Sequence, residues 1–315
     1  MAPHKQVDLR KVKTVSVRRR GGRYATGSFA RVPRRGDTLG RFLDGLPRIL
    51  KGNEWRELIE RIAAARKKCK PIIWLAGAHV IKCGLSPVII GLLDLGLVDV
   101  LGLNGAGAIH DLEVAHLGCT SEDVLANLQA GTFGMAEETA RWFADGVAAA
   151  KQHGLGLGEG LGHALTSARP RFKKYSLLSA AYRHGIPVTV HVAIGTDIVA
   201  QHPNFDAAAV GEASHADFKI LCEKVRRLNG GGVVLHFGSA VLLPEVFLKA
   251  LAVARNLGRV ENFTTANFDM IQHYRPQQNV VLRPTARSGR GFSFTGHHEF
   301  MLPLLAAAIG ERLRL

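Results

Sequence analysis

Two stretches decide the fold of this chain: GGGVVLHFG at Gly230–Gly238 and DVLGLNGAGAIHD at Asp99–Asp111. Each is a hydrophobic β-run beside a turn rich in glycine. Each also carries a titratable residue, His236 in one and the His110-Asp111 pair in the other. Glycines at such ends let the backbone approach a ligand without a side chain in the way. Clustered glycines in one place read equally well as ordinary turns. Two such strand ends in one alternating chain point instead to a nucleotide or substrate cleft.

Working outward, segments alternate between helical and strand patterns. Trp55–Lys68 places Leu58, Ile59, Ile62, Ala63 and Ala65 among charges at a period near 3.6, and so predicts a helix. Pro71–Leu75 reads as a strand, and Pro87–Leu95 as a helix capped by Ser86 with Pro87 at its first position. Val98–Leu103 is the next strand, followed by a helix capped by Thr120 or Ser121 and running toward Ala150. GLGLGEGLGHAL at Gly154–Leu165 reads as a loop or short linker. Helices follow at Tyr175–Tyr182, Ala207–Arg227, Val241–Arg255 and His298–Leu313, interleaved with strands at Ile186–Ile194, Val233–Phe237 and Phe263–Phe268. The expected fold class is α/β: a single Rossmann-like domain whose mostly parallel sheet carries helices on both faces. Ligands of such sheets bind beyond the carboxyl ends of the strands. Here those ends are Gly77–His79, Asn104–Asp111, Gly195–Asp197, His236–Ser239 and Thr264–Asp269, expected to converge on one site.

The chain has 315 residues, is 47% hydrophobic and carries a formal charge of +15. Residues 1–35 hold eleven Lys or Arg against Asp8 alone, a net +10, which leaves +5 for the other 280. A basic N-terminal arm, 1–35, is thus expected ahead of an α/β domain, 36–315. An arm of this kind grips nucleic acid or an acidic partner, or packs across a neighbouring subunit. Without interleaved aromatics or a nucleic-acid fold, nucleic acid is not the expected partner. No run of about 18 uncharged apolar residues is present, and the N-terminus has no apolar leader core, so a cytoplasmic protein with no membrane partner is expected. Cys69, Cys83, Cys119 and Cys222 lie far apart and read as thiols rather than a disulfide frame or zinc site. His79, His110, His202, His297 and His298 gather near the strand ends but lack helical ligand spacing, so no metal is expected.

Taken in order, these strand ends resemble deoxyhypusine synthases, a family that uses NAD to dehydrogenate spermidine and passes a four-carbon amine to a lysine of a translation factor. DVLGLNGAGAIHD is similar to the family's DVLVTTAGG-V-E-E-D stretch, and KYSLLSAAYRHGIPV followed by Gly195-Thr196-Asp197 to its helix, IPV strand and T-D turn. GGGVVLHFGSAV resembles GGGVVKHHIANA, which places the family's active-site histidine on His236, and ENFTTANFD resembles NTAQEFDG. The resemblance implies NAD binding through Asn104, Gly105, Ala106, Gly107, Asp197, Gly231, Thr265 and Ala266. It implies substrate contacts at His110, His202, Asp269 and Gln278, and a homotetramer with active sites between paired subunits.

Departures from the family pattern bear on the reaction. The imine-forming lysine falls on Pro284, and no lysine follows Lys249. The paired glutamates fall on Ile109 and His110, a further glutamate on Gln278, an aspartate near His202, and an aspartate-alanine pair on His297-His298. Spermidine carries about three positive charges and is held by carboxylates; several are gone here. Two expectations stand side by side. One is an NAD-dependent transferase of the deoxyhypusine/homospermidine synthase type that makes an imine from a polyamine or other amine without a lysine intermediate. In it His236, with an imidazole pKa near 6.5, is the base, and Lys82 is a lesser candidate for an imine. The other is a catalytically lapsed paralogue that serves as a subunit or scaffold.

Overall fold

Beyond the basic arm, five of the six strands lie where continuous apolar runs place them, because a sheet buried on both faces needs no polar alternation. The computed structural model describes residues 4–314. The strands are β1 (Ile72–Ala76), β2 (Val100–Asn104), β3 (Val188–His191), β4 (Val233–Phe237), β5 (Thr264–Asp269) and β6 (Arg290–Thr295). They form one sheet in the order β3-β2-β1-β4-β5-β6, with every neighbouring pair parallel. This is the doubly wound nucleotide-fold order, and its direction reverses between β1 and β4. The helices used below are α1 (Leu50–Lys67), α2 (Ala78–Lys82), α3 (Ser86–Asp94), α4 (Gly105–Leu117), α5 (Val124–Ala130), α6 (Glu137–His153), α7 (Leu157–Ala168), α8 (Leu177–Arg183), α9 (Ala207–Arg226), α10 (Leu242–Leu257) and α11 (His298–Leu313).

Strand alternation sends residues to two layers. Ile73, Leu75, Val100 and Val234 meet Leu221 and Val225 of α9 and Leu243, Phe247 and Leu251 of α10, all fully buried or nearly so. Full burial of such a side chain contributes about 1.5–3 kcal/mol. The opposite face carries an aromatic row: Trp74 stacks on Phe237 at 5.2 Å, Phe237 on Phe268 at 4.7 Å, and Phe268 on Phe294 at 5.1 Å. Trp74 Nε1 donates to the Leu97 carbonyl at 2.9 Å, which satisfies the one polar atom of that ring. On this side α3 packs with α8 and α11, and α11 lies against β5. Helices therefore cover both faces, as expected.

Three local expectations are corrected. The glycine-rich stretch read as a linker is helix α7. Its glycines serve packing: a Cβ on Gly160 would lie 2.5 Å from the Gly146 carbonyl oxygen and 2.6 Å from Ala150 Cβ, so α6 and α7 touch backbone to backbone. Ser86 is not a cap; it is the first residue of α3 and its hydroxyl is buried without a partner among the described residues. Neither Thr120 nor Ser121 caps the helix toward Ala150. Asp123 caps α5 by accepting from Ala126 N at 3.0 Å, and α6 begins separately at Glu137. The edge strand β6, half exposed, has no counterpart among the strands expected from sequence.

The chain divides into two compact units between residues 53 and 54. In the first, residues 4–35 are almost wholly exposed, and a short helix, Leu39–Gly45, is capped by Thr38 accepting from Arg41 N at 3.2 Å. Among the described residues no helix is long and apolar enough to cross a membrane.

Candidate functional site

The strand order reverses between β1 and β4, and at the sheet's carboxyl edge the turns that follow these two strands meet. Gly77 N donates to the Phe237 carbonyl at 2.8 Å, and the Gly77 turn lies so close to the Gly238 carbonyl that a Cβ has no room. Gly238 has φ +59°, and a Cβ there would sit 2.8 Å from His298 Nε2. The His298 ring, at the start of α11, thus packs against the turn that follows β4. Both its nitrogens are buried without a partner among the described residues. Burial holds its pKa below the ordinary value, with Asp269 opposing and the facing His79 assisting. The His79 and His298 rings stand 5.9 Å apart.

His236 is completely buried in β4. Its Nδ1 lies 2.6 Å from Asn267 Oδ1 on β5, and its Nε2 has no partner among the described residues. Burial pulls its pKa down to about 4, against the opposing pull of the Asn267 hydrogen bond and the Asp269 charge. The expectation of a base titrating near 6.5 is therefore corrected: His236 is neutral across the physiological range, and a weaker base than a free imidazole. Asp269, nearly buried, accepts from Met270 N at 2.8 Å.

A cavity of about 340 Å³ is lined by Ala106, His110, Glu113, Glu122, Asp197 and Lys82, among others, with apolar walls that include Phe133 and Ile198. Helix α2 links it to the first group, since Lys82 lines the cavity and His79 faces His298. The amides that open α4 are already occupied. Asn104 Oδ1 accepts from Gly107 N at 2.9 Å, and Asp197 accepts from Ala193 N at 2.8 Å and from Ala106 N. Gly105 has no side chain because the Asp197 carboxylate fills that space. Burial raises the Asp197 pKa, partly offset by those two amides. His110 Nδ1 lies 2.6 Å from Thr120 Oγ1, which donates to Glu113. Burial pushes Glu113 upward, but hydrogen bonds from His110, Thr120 and Thr139 outweigh it and leave its pKa low.

The expected single site is therefore only partly assembled. Gly77, Gly238 and His298 meet after β1 and β4, His236 lies beside Leu75 and Asn267 on the face of the sheet that α9 and α10 cover, and Ala106, His110 and Asp197 line the cavity. Gly231 lies at the opposite, amino end of β4, and Thr265 and Ala266 are fully buried in the middle of β5, in register with Val234 and Leu235. His202 Nε2 is 2.8 Å from the Gly134 carbonyl. Gln278 sits in a π-helical turn over Gln277–Leu282, beside α10. The Pro284 carbonyl accepts from Arg255 Nη2 at 2.7 Å. Asp111, expected at a strand end, lies inside α4. Its buried carboxylate accepts from Ser176 Oγ and from the amides of Leu177 and Leu178, anchoring α8. Sequence reading missed Asn267, Gln272 and the buried His191 at the end of β3, whose pKa burial lowers to about 4. For Asn267 the signal was polar residues inside a buried strand, TTANFD.

No protein-family model matches this chain, and no curated protein does. Solved structures do. A provisionally named deoxyhypusine synthase from Entamoeba histolytica aligns at TM-score 0.51 and 11% identity, over 87% of this chain and 93% of that one. ArgZ, an arginine dihydrolase from the ornithine-ammonia cycle in Cyanobacteria, aligns at 0.50 and 16%, over 83% of this chain and 32% of its own. AgrE, solved as a ternary complex with ornithine and NAD+, aligns at 0.50 and 13%, over 83% and 33%. The chain spans about a third of the length of ArgZ and AgrE. At these identities the likeness is one of fold, and that fold is deoxyhypusine synthase-like α/β.

Proposed function

We propose that this chain is an NAD-dependent enzyme acting on a polyamine or another amine, which it dehydrogenates to an imine and transfers directly to a second amine. One observation carries the reading: near the ends of the strands where the order reverses, His236 Nε2 and both His298 nitrogens are buried with no partner among the described residues. An unsatisfied buried polar group costs about 1–3 kcal/mol, so a polar ligand that reached either ring would offset that cost. Dinucleotides in such sheets lie at this point. The fold neighbour AgrE was solved with ornithine and NAD+.

In this reading the turns at Gly77 and Gly238, with His298, would hold the dinucleotide; when bound, NAD would supply the hydride acceptor. The adjoining cavity suits an aliphatic amine, since three carboxyl groups, Glu113, Glu122 and Asp197, line it with Lys82 and His110 between apolar walls. His236 offers Nε2 to a substrate N–H. With a pKa of about 4, full protonation at pH 7 costs about 4 kcal/mol, so the proton it accepts is passed on rather than kept. Pro284 supplies no amine, which leaves the direct transfer. A lapsed paralogue is the second reading, favoured by Asn104 and Asp197 closing the amides of α4.

Thermal melting with and without about 1 mM NAD or NADP separates the two. A ligand at a hundred times its dissociation constant adds about 2.7 kcal/mol and raises Tm by several degrees. No shift with either dinucleotide would sink the enzyme reading.

A further inference from the structure

A chain of three amide contacts runs from His236 to a backbone carbonyl on the next strand but one. His236 Nδ1 is 2.6 Å from Asn267 Oδ1, Asn267 Nδ2 is 2.8 Å from Gln272 Oε1, and Gln272 Nε2 is 3.0 Å from the Phe294 carbonyl oxygen of β6. A backbone carbonyl can only accept, so the Gln272 group facing it must be the NH2. Gln272 Oε1 then faces Asn267, which must present its own NH2 and leave Oδ1 toward the imidazole. Reversing either amide sets two acceptors against each other within 3.0 Å. The orientations therefore follow from the fixed carbonyl and not from a choice between look-alike atoms.

We infer that Asn267 and Gln272 are positioning residues that lock His236 in its Nδ1–H tautomer, leaving an unprotonated Nε2 that selects ligands able to donate a hydrogen bond. Two observations meet here. The relay fixes the proton on one nitrogen, and the other nitrogen is buried with no partner among the described residues. A neutral imidazole with Nδ1–H has a lone pair at Nε2 and nothing else to offer there. An amine N–H or a hydroxyl satisfies that lone pair; an ether, carboxylate or carbonyl oxygen does not. The charged and titratable groups acting on this ring from elsewhere are Asp269 and His298. The role given to the ligand rests on the proposed amine chemistry, while the tautomer does not.

The test is a two-dimensional 15N NMR spectrum of the imidazoles in the full chain, with the His236 signals identified by their loss in His236→Gln. Wild type should show Nδ1 protonated and Nε2 bare from about pH 6 to 8. Asn267→Leu removes the acceptor, and Gln272→Met removes the anchor; in both, His236 should become a mixture of tautomers. Asn267→Asp keeps an oxygen against Nδ1 but sets the other against Gln272 Oε1, so it reads the charge alone: the His236 pKa should rise by about 1–3 pH units. A wild-type Nε2–H tautomer would overturn the inference on its own, without any variant. So would an unchanged Nδ1–H signal in both Asn267→Leu and Gln272→Met. Neither result bears on NAD binding, which the melting experiment reads separately.

Discussion

Replacing Asp217 with asparagine should remove the pH dependence this residue gives to folding. Asp217 projects from α9 beneath the start of α7. One carboxylate oxygen accepts from Gly158 N at 2.8 Å and Val190 N at 2.7 Å, with Leu157 N contributing. The other oxygen is buried without a partner among the described residues. Burial, helped by the charge of Glu159, raises the pKa from the ordinary 3.8 to about 7 in spite of those amides. A folded pKa above the unfolded one means the native state binds the proton more readily. The resulting stability is fully present below pH 3.8 and is lost as pH rises through about 7. At 1.36 kcal/mol per pH unit the loss comes to about 4 kcal/mol. The substituted side chain keeps an acceptor for the amides and cannot ionise, though its NH2 is left unsatisfied, as the protonated acid's hydroxyl is in wild type. Urea unfolding of Asp217→Asn and wild type at about pH 4, 6 and 8 isolates the effect, because Asp111, His191 and His236 titrate alike in both proteins. The variant should be equal to or somewhat less stable at the acid end, and should gain on wild type by about 4 kcal/mol at the alkaline end. A stability difference that stays constant across this range would show that the amides fully compensate the buried charge, and the reasoning would be wrong.

Other outcomes follow from the same geometry. Gly160→Ala forces a methyl onto the backbone of α6 and should cost about 1–3 kcal/mol or more, whereas Gly211→Ala, in open space on α9, should stabilise by about 0.4–1 kcal/mol; opposite signs in thermal or urea melts are the check. Borohydride reduction with labelled spermidine and NAD should leave the chain unlabelled, since proline stands where the family has its lysine; a stable adduct, with Lys82 the first place to look, would reverse that expectation. Light scattering should give about four times the 34.1 kDa chain mass, and a monomer at micromolar concentration would refute the expected tetramer.

The sheet was legible because buried parallel strands are written as plain apolar runs. Val233–Phe237 and His298–Leu313 fall at the bounds expected from sequence. The failures share a physical cause. Glycine in a helix costs about 1 kcal/mol relative to alanine, so Gly154–Leu165 reads as loop by propensity. Contact with Gly146, Ala150 and Val188 overrides that cost in the folded chain. GAGAIHD reads as a strand end for the same reason, yet it opens α4. Strand β6 hides because it is an edge, alternating and half exposed after a run of Arg, Ser and Gly.

Glycine also misleads about the site, and in a way that separates two of its uses. A glycine beside a cleft and a glycine that clears space for the protein's own atoms look identical in sequence. Gly105 is of the second kind: its missing side chain admits Asp197, so the helix end that would attract an anion already holds a carboxyl group of the protein. Gly238 also makes room for a protein group, but that group is His298, whose nitrogens have no partner among the described residues. The difference lies in whether the group admitted is satisfied. Asp197 finds two amides, whereas His298 and His236 find none for three of their four ring nitrogens. Glycine content therefore does not separate the two uses; what separates Gly105 from Gly238 is that the group admitted at Gly105 is hydrogen-bonded, while the one admitted at Gly238 has no partner among the described residues.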